Sequence, residues 1–364
     1  MNSRVSKVPA IAVDLFAGGG GLSLGLKQAG FVVSAAVESE PSACDTYSIN
    51  HRGTVLFNRD IREISGIELI RTSPTLEIDF IAACPPCQGF SSLTSKYKKA
   101  DLRNELIFEF VRLVEEVLPA AIMMENVPGL AKKGSSIFRS AMDRLSAAGY
   151  NLTQATLDVA NFGIPQHRKR LVVLGGRGFP ITIPPATHAE KQTVNQRPWV
   201  TVRDAIENFD RPSTLLKAIA LGGPEVVNWH VTRSISPINL ARLRATRAGT
   251  DRSRLPVELR PKCHQGSDSG FSNVYGRMSW DKPAPTITGG CTTLSKGRFG
   301  HPSLLRTISV REAATLQSFP LTYQFSGGFM EKVCDIIGNA LPPRFAEIMA
   351  AACIDSIREQ REKA

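Results

Sequence analysis

The chain has 364 residues and a mass of 39.6 kDa, more than one ordinary domain, and predicts two domains with a sizeable core. Hydrophobic residues make up 42% and charged residues 21%, as in globular proteins, and no apolar run reaches the roughly 18 residues of a membrane span. The formal net charge of +11 favours a polyanionic partner.

The first apolar run, residues 11–17, contains Asp14 and leads directly into a glycine cluster. This is not the pattern of a signal peptide, so the expected location is the cytoplasm. The seven cysteines are an odd number, which argues against a disulfide framework. Cys84 and Cys87 form a C-x-x-C, but no second pair stands at zinc-ligand spacing and two prolines fill its middle. No metal is therefore expected.

Alternating strands and helices are predicted in the first half of the chain. Buried parallel strands are indicated by five apolar runs, at Ile11–Phe16, Val32–Val37, Phe80–Ala83, Ala121–Met124 and Leu171–Leu174. Helical patterns lie between them, the clearest from Asn104 to Leu118, and Gly30 and Gly149 stand at expected helix C-caps. The predicted fold class is α/β, with a doubly wound, mostly parallel sheet that binds ligands at the carboxyl ends of its strands.

The second half changes in composition after about Pro184. The segment Ala186–Gly300 is rich in Pro, Gly, Arg and Ser, and its 17 Lys plus Arg against 9 Asp plus Glu give a surplus of +8. Such a segment predicts a smaller, irregular domain that binds nucleic acid. A helical pattern returns at Arg311, and the last predicted helix is Arg344–Glu359. We therefore expect a catalytic, cofactor-binding domain from 1–185 plus 332–364, and a recognition domain from 186–331 with its core at 186–300.

A glycine-rich turn follows the first strand, in the segment from Asp14 to Gly21. Glycines at a strand-to-helix turn let a ligand approach backbone amides, and Glu38, at the end of the next strand, is spaced to bind ribose hydroxyls. The dinucleotide fingerprint G-x-G-x-x-G fails here, because its last position falls on Ser23 or Leu24. An adenosine ligand without a pyrophosphate fits better, and the alternative is a tight turn and nothing more.

Three later segments carry reactive side chains. Cys87 follows two prolines that stiffen its loop, which suits a nucleophilic thiol, although free cysteines are more often small buried hydrophobes. Glu125 ends a strand on the same sheet edge and suits general acid chemistry if burial raises its pKa; the alternative is a satisfied polar residue. Strand alternation would put Arg168 and Arg170 on one face, fit to hold a base oxygen or phosphates, whereas a solvated basic run is the commoner outcome.

In this order, six motifs resemble the DNA cytosine-5 methyltransferase family, in particular the bacterial type II restriction-modification methyltransferases: DLFAG-G-GG, PPCQ, ENV, Q-x-R-x-R, REAATLQSFP and GNALPP. The resemblance covers residues 11–184 and 301–350. It implies a Rossmann-like methyltransferase fold, S-adenosyl-L-methionine as cofactor, and carbon 5 of cytosine in double-stranded DNA as the methyl acceptor.

The resemblance also implies roles for individual residues. Cys87 corresponds to the nucleophile, Glu125 to the acid at the cytosine edge, and Arg168 and Arg170 to the arginine pair near the base. The residues that correspond to the family's cofactor pocket are Phe16, Gly18, Gly20, Glu38, Asp60, Ile61, Leu106 and Asn339. Two positions depart from the pattern: Ser39 replaces an aromatic residue of some members, and Pro85 stands where others have Phe or Gly.

The resemblance further implies a covalent Cys87 adduct on a base flipped out of the duplex. The expected partner is double-stranded DNA, with a cognate restriction endonuclease acting on the same site without direct contact, and the enzyme is expected to be a nucleoid-associated monomer. Three alternatives stay open. These are a tRNA cytosine methyltransferase with the same motifs, a catalytically silent DNA-binding regulator, and a nicotinamide oxidoreductase; the last is disfavoured by the failed fingerprint.

Overall fold

The computed structural model describes residues 9–86, 105–133, 135–265 and 272–363. The chain forms two compact units. The first contains Met1–Leu157, Lys169–Pro185 and Pro343–Ala364, and the second contains Asp158–Arg168 and Ala186–Pro342. Compared with the expected division, residues 158–168 and 332–342 lie in the second unit. Both segments hydrogen bond to other residues of that unit, as described below.

The first unit is built on a seven-stranded sheet with the order β3-β2-β1-β4-β5-β7-β6. Its strands are β1 Ile11–Leu15, β2 Val32–Glu38, β3 Val55–Asn58, β4 Phe80–Ala83, β5 Ala121–Asn126, β6 Tyr150–Asp158 and β7 Lys169–Arg177. Strands β1 to β5 pair in parallel, which confirms the doubly wound α/β class, and the order reverses between β1 and β4.

One predicted strand direction is wrong. The run Leu171–Leu174 lies in β7, which is antiparallel to β5, with Val173 opposite Met124. Only residues 159–168 separate β6 from β7, too few for the helical crossover that a parallel connection needs. The chain therefore returns in the opposite direction and inserts β7 between β5 and β6.

Twelve α-helices occur among the described residues. In the first unit these are α1 Gly21–Gln28, α2 Pro41–Asn50, α3 Gly66–Ile70, α4 Leu106–Val117, α5 Gly129–Lys133, α6 Ser135–Ala147 and α12 Pro343–Lys363; in the second unit they are α7 Val202–Ile206, α8 Leu215–Ala220, α9 Pro237–Ala245, α10 Val310–Leu316 and α11 Met330–Asn339. Gly30 and Gly149 follow α1 and α6 with φ of 99° and 92°, the left-handed conformation expected at helix ends.

Alternate side chains of β1 face the two sides of the sheet. Ile11, Val13 and Leu15 join the main hydrophobic core, which α3, α4 and α6 complete. On the other side α1 packs closely against α12, since a Cβ atom added at Gly25 would lie 2.5 Å from the Cβ of Ala346. The C-terminal helix thus belongs to the first unit.

The second unit has little regular structure, in agreement with its composition. Its strands are two residues long: β8 His188–Ala189, β9 Arg197–Pro198, β10 Ser213–Thr214 and β11 Val231–Thr232. Much of its interior is held by buried polar side chains. Arg311 is 1% exposed, donates to the backbone oxygens of Asn228 and Tyr323 at 2.8 and 2.9 Å, and lies over the Phe325 ring. Burial lowers the pKa of Arg311 to about 10.

In the part of the chain that the structure describes, no helix is both long and apolar enough to cross a membrane.

Candidate active site

The glycine-rich turn connects β1 to α1 at the carboxyl end of the sheet. Phe16, Gly18 and Gly20 have φ of 60°, 54° and 88°, left-handed conformations that allow the chain to turn sharply before the helix. An added Cβ at Gly18 would meet no atom within 4 Å, so space is open at this point of the turn. Glu38 at the end of β2 accepts a hydrogen bond from the Gly18 amide at 2.7 Å. Glu38 therefore anchors the glycine-rich turn to β2.

A buried polar cluster lies beside this turn. Asp14 is fully buried and accepts a hydrogen bond of 2.6 Å from the Ser23 hydroxyl, which also contacts the Tyr47 hydroxyl at 2.7 Å. Burial raises the pKa of Asp14 to about 7. Burial and the charge of Lys27 lower the pKa of His51, which bonds to the Gly20 backbone, to about 3. These residues carry no predicted role, although an aspartate inside the apolar run of β1 is a signal for such a cluster.

The other predicted cofactor residues of the first unit follow β3 or begin α4. The Asp60 carboxylate accepts a hydrogen bond from the Arg62 amide at 3.0 Å and pairs with the Arg62 guanidinium at 2.7 Å, and these bonds lower the pKa of Asp60. Ile61 is 4% exposed and Leu106 packs against the same hydrophobic core. Their contacts with a cofactor stay a prediction.

The ends of β4 and β5 bring together a second group of side chains. The two strands pair in parallel with Ala83 opposite Met124, so Cys84 and Glu125 follow at neighbouring positions. The Asn126 side chain donates to the Pro85 carbonyl oxygen at 3.0 Å and ties the proline loop to β5. On the next strand, Arg170 Nε lies 2.6 Å from Glu125 Oε1, and the two side chains are 13% and 10% exposed. The structure therefore unites Glu125 with one of the two predicted arginines.

Of the two cysteines of the C-x-x-C, the structure describes Cys84. Cys87, the predicted nucleophile, lies outside the described residues. Desolvation and the carboxylates of Glu125 and Asp14 raise the pKa of the Cys84 thiol well above its usual range. Cys84 thus keeps its proton at neutral pH and is unsuited to attack as a thiolate. No group of three potential metal ligands occurs among the residues described.

Arg168 is the predicted site residue whose surroundings differ most from expectation. It precedes β7, which begins at Lys169, so the structure does not place Arg168 and Arg170 on one face of a strand. Arg168 belongs to the second unit and is 3% exposed. Its guanidinium donates to the carbonyl oxygens of Ile287 at 2.9 Å and Gly338 at 3.0 Å. Asn339, the remaining predicted cofactor residue, is exposed at the end of α11 in the same unit.

A buried hydrogen-bond network continues from Arg168 through two glutamines. Gln166 accepts from the Ile287 amide and donates to the Gln317 side chain, both at 2.6 Å. Gln317 in turn donates to the Ile337 carbonyl oxygen at 2.6 Å. Four stretches that are distant in sequence, around 166–168, 286–290, 317 and 337–340, are thereby joined. In the second unit these motif residues act as a scaffold.

We expect Arg168→Met to lower the free energy of unfolding by about 2 kcal/mol or more, because two buried carbonyl oxygens lose their donors. Denaturant unfolding of the purified protein measures the change. Arg254→Met, at an exposed position of the same unit, is the matched control and should change stability by less than about 0.5 kcal/mol. Loss of enzyme activity without loss of stability would contradict a scaffold role for Arg168.

The chain is similar to known proteins over most of its length. The family model described as C-5 cytosine-specific DNA methylase matches residues 11–355. The type II methylase M.HgiDII of Herpetosiphon aurantiacus is 37% identical over 343 residues, which cover 93% of each chain. The type II methyltransferase M1.HphI of Haemophilus parahaemolyticus is 33% identical, covering 94% of this chain and 86% of its own.

A similar fold occurs in a crystal structure described as a DNA modification methyltransferase encoded within an E. coli prophage. Its TM-score is 0.71 at 25% identity, and the match covers 95% of this chain and 99% of the other. DNMT2 of Spodoptera frugiperda has the same fold, with a TM-score of 0.64 at 16% identity over 95% of this chain and 99% of its own. From the family match and the type II relatives, we conclude that the chain belongs to the C-5 cytosine-specific DNA methylase family and is a DNA cytosine-5 methyltransferase.

Proposed function

We propose that the enzyme transfers a methyl group from S-adenosyl-L-methionine to carbon 5 of a cytosine within a specific double-stranded DNA sequence, through a covalent Cys87 adduct on a flipped-out base. The observation that carries this proposal is the Glu125–Arg170 pair, 2.6 Å apart beside the Cys84-Pro85-Pro86 loop. This pair supplies a carboxyl group and a cation at the edge of the sheet where the loop after β4 begins.

The residues at the ends of β1 and β2 fit the proposed cofactor. The open space at Gly18 leaves room for a ligand against the turn, and Glu38 supplies a carboxylate for ribose hydroxyls. Asp60 supplies a second acceptor after β3. When bound, the cofactor supplies an electrophilic methyl group on a sulfonium. Phe16, Gly20, Ile61, Leu106 and Asn339 are retained in this proposal as cofactor residues by family correspondence.

The chemistry of cytosine explains why a thiol and a carboxylic acid are needed together. Carbon 5 is a poor nucleophile, and a thiolate added to carbon 6 converts the ring to an enamine, provided that nitrogen 3 takes a proton. We assign the thiolate to Cys87 and the proton at nitrogen 3 to Glu125. After methylation, a base takes the proton from carbon 5, the Cys87 thiolate leaves carbon 6, and nitrogen 3 returns its proton to Glu125, so that the aromatic ring and the starting state of the enzyme are restored.

Arg170 holds one side of the Glu125 carboxyl group. Arg170 Nε lies 2.6 Å from Oε1, and this ion pair restrains the carboxyl group beside the proposed position of the base. Carbon 6 is inaccessible in a stacked base pair, so the proposed attack requires the cytosine to leave the duplex, at a cost of a few kcal/mol. Arg168 is retained as a residue near the base by family correspondence alone, since its guanidinium donates to the Ile287 and Gly338 carbonyl oxygens within the second unit.

The second unit is the proposed DNA-recognition part, around the predicted segment 186–331. Its charge surplus overstates what DNA can contact, since Arg252 and Arg277 are 1% and 9% exposed and Arg277 donates to the His301 carbonyl oxygen. Arg244, Arg247 and Arg254 are exposed and suit contacts with phosphates or guanine edges. We also propose a cytoplasmic, monomeric enzyme, with a restriction endonuclease for the same site as its functional partner.

Methyl transfer from labelled cofactor to duplex DNA and to tRNA, measured side by side, tests the proposal. We expect label in DNA, with tRNA labelled at least about tenfold more slowly, and bisulfite sequencing should show 5-methylcytosine at one recurring sequence. Preferential labelling of tRNA would overturn the assigned substrate. A recurring product at another atom of the base would overturn the reaction at carbon 5.

A further inference from the structure

His167 lies at the surface of the second unit, and its imidazole ring is held on two sides. Its Nδ1 lies 3.0 Å from Asp158 Oδ2, and the ring is perpendicular to that of Trp199, with 4.6 Å between the centroids. The backbone is fixed as well, since the His167 amide donates to the Ala284 carbonyl oxygen at 2.8 Å and its carbonyl oxygen accepts from the Thr286 hydroxyl at 2.7 Å. The ring is therefore held in place although 39% of the side chain is exposed.

Asp158 determines which ring nitrogen of His167 can change its protonation. Burial opposes the charge of this carboxyl group, but the bonds from His167 and from the Arg168 and Ala160 amides lower the pKa of Asp158. As an anion, Asp158 accepts the proton of Nδ1, so Nε2 is the nitrogen that takes up or releases a proton. Among the described residues, no hydrogen-bond partner of Nε2 is present. A protonated His167 thus presents a charged N–H donor to a ligand.

The exposed groups around this ring are mainly cationic. Arg197 and Trp199 are two residues apart, and their amides donate to alternate carbonyl oxygens of the β8 segment, so both side chains project from the same face of an extended ladder. Arg197 is exposed, and the turn between β8 and β9 adds exposed Glu190 and Lys191, whose charges offset each other. A protonated His167 adds to this net positive charge, and a polyanion is the complementary ligand.

We propose that His167 binds a phosphate of the DNA backbone through Nε2 in its protonated form, so that DNA affinity rises as the pH falls. This inference rests on the proposed role of the second unit in DNA recognition. Charged N–H donors form short hydrogen bonds to phosphate oxygens, and a ring already held by Asp158 and Trp199 loses little conformational freedom on binding. Asp158 is the positioning residue, because it orients the ring and stabilises its cation. The contact adds affinity without selecting a base sequence.

Three substitutions test this contact through the affinity for a fluorescent DNA duplex of mixed sequence. The wild-type Kd should fall about fivefold from about pH 8 to about pH 6, and that of His167→Gln by less than about twofold. His167→Lys carries its charge at both pH values and should bind tightly at both. Asp158→Asn keeps an oxygen for the Arg168 and Ala160 amides but removes the anion, so the rise in affinity should begin at lower pH.

The salt dependence of binding is a readout that a purely structural histidine would not change with pH. Each neutralised phosphate contributes about 0.9 to the slope of log Kd against log salt concentration. His167→Gln should therefore lose about 0.9 of this slope at about pH 6 and none at about pH 8. Equal slopes and equal pH dependence in wild type and His167→Gln would overturn the inference. A loss of affinity in His167→Gln that is the same at both pH values would overturn it too.

An NMR titration separates this inference from the proposed function. The His167 ring signal is assigned by its absence in His167→Gln and is followed as the pH changes, with and without the duplex. Bound DNA should move the midpoint of this titration to higher pH, as linkage requires of a proton that is taken up on binding. A midpoint that stays in place while the duplex binds would overturn the inference alone. Wild-type protein that binds no duplex would overturn the proposed recognition role of the second unit as well.

Discussion

Cys87→Ser should abolish DNA methylation while leaving cofactor binding intact. A serine hydroxyl is far less acidic than a thiol, so almost no anion exists to add to carbon 6 at neutral pH. We expect the rate of labelled methyl transfer to fall by about 1,000-fold or more, since loss of a nucleophile removes the covalent route. Calorimetric titration with S-adenosyl-L-methionine should give a Kd within about twofold of wild type, because no cofactor contact is assigned to this residue.

A duplex with 5-fluorocytosine at the target position gives a direct readout of the adduct. After methyl transfer the fluorine on carbon 5 cannot leave as a proton, so Cys87 cannot be eliminated and wild-type enzyme should remain covalently attached to the DNA. Cys84→Ser is the matched control and should still form the adduct. Equal inactivation by Cys84→Ser and Cys87→Ser would indicate a cysteine pair that acts together. Failure of wild-type enzyme to form the adduct under turnover conditions would contradict nucleophilic attack by Cys87.

The central strands could be predicted from sequence because they are buried on both faces. Phe80–Ala83 matches β4 at both ends, and the runs for β1, β2 and β5 differ from the structure by one or two residues at an end. Within the seven-stranded sheet, the two strands without a prediction, β3 and β6, are its edges. Edge strands are partly solvated, and their polar residues, such as the Thr and Gln of β6, interrupt the apolar run by which a strand is recognised.

Site residues could be predicted from sequence where each of them stands at the end of a single strand. Glu38 and Glu125 lie at the ends of β2 and β5, where their spacing after apolar runs puts them. Arg168 shows the limit of such reasoning. Alternation along a basic run gives no information on where a strand begins. β7 begins at Lys169, and the preceding Gln166 and Arg168 bond to backbone groups far away in sequence. Pairings of this kind depend on tertiary structure.

The count of charged residues gave the sign of the net charge of Ala186–Gly300, but not which of these charges are exposed. The surplus in Ala186–Gly300 includes arginines such as Arg252 and Arg277 that are buried. With few regular elements, the second unit leaves many backbone carbonyls outside helices and sheets, and guanidinium groups with five donors satisfy several of them at once. A basic composition in an irregular domain therefore has two causes, and only the exposed fraction bears on DNA binding.

Glu125→Gln should lower turnover by about 100-fold or more. The substitution keeps the size of the side chain but removes the proton that nitrogen 3 must take as the thiolate adds. Its amide oxygen stays beside Arg170 but carries no charge, so the fold should lose about 1 to 3 kcal/mol and cofactor affinity should hold. Single-turnover methylation measures the chemical step, and denaturant unfolding and cofactor titration measure the other two quantities.

Glu115→Gln is the matched control for loss of an ion-paired glutamate, because Glu115 pairs with Arg144 at 2.5 Å on α4 and α6, away from the strand ends. It should change turnover by less than about twofold, since an exposed ion pair contributes little to stability and takes no part in the reaction. A Glu125→Gln protein that unfolds, or that loses cofactor affinity in proportion to turnover, would make Glu125 a structural residue. If the variant folds, binds cofactor and turns over at the wild-type rate, then nitrogen 3 takes its proton from another group and the Glu125–Arg170 pair only shapes the pocket.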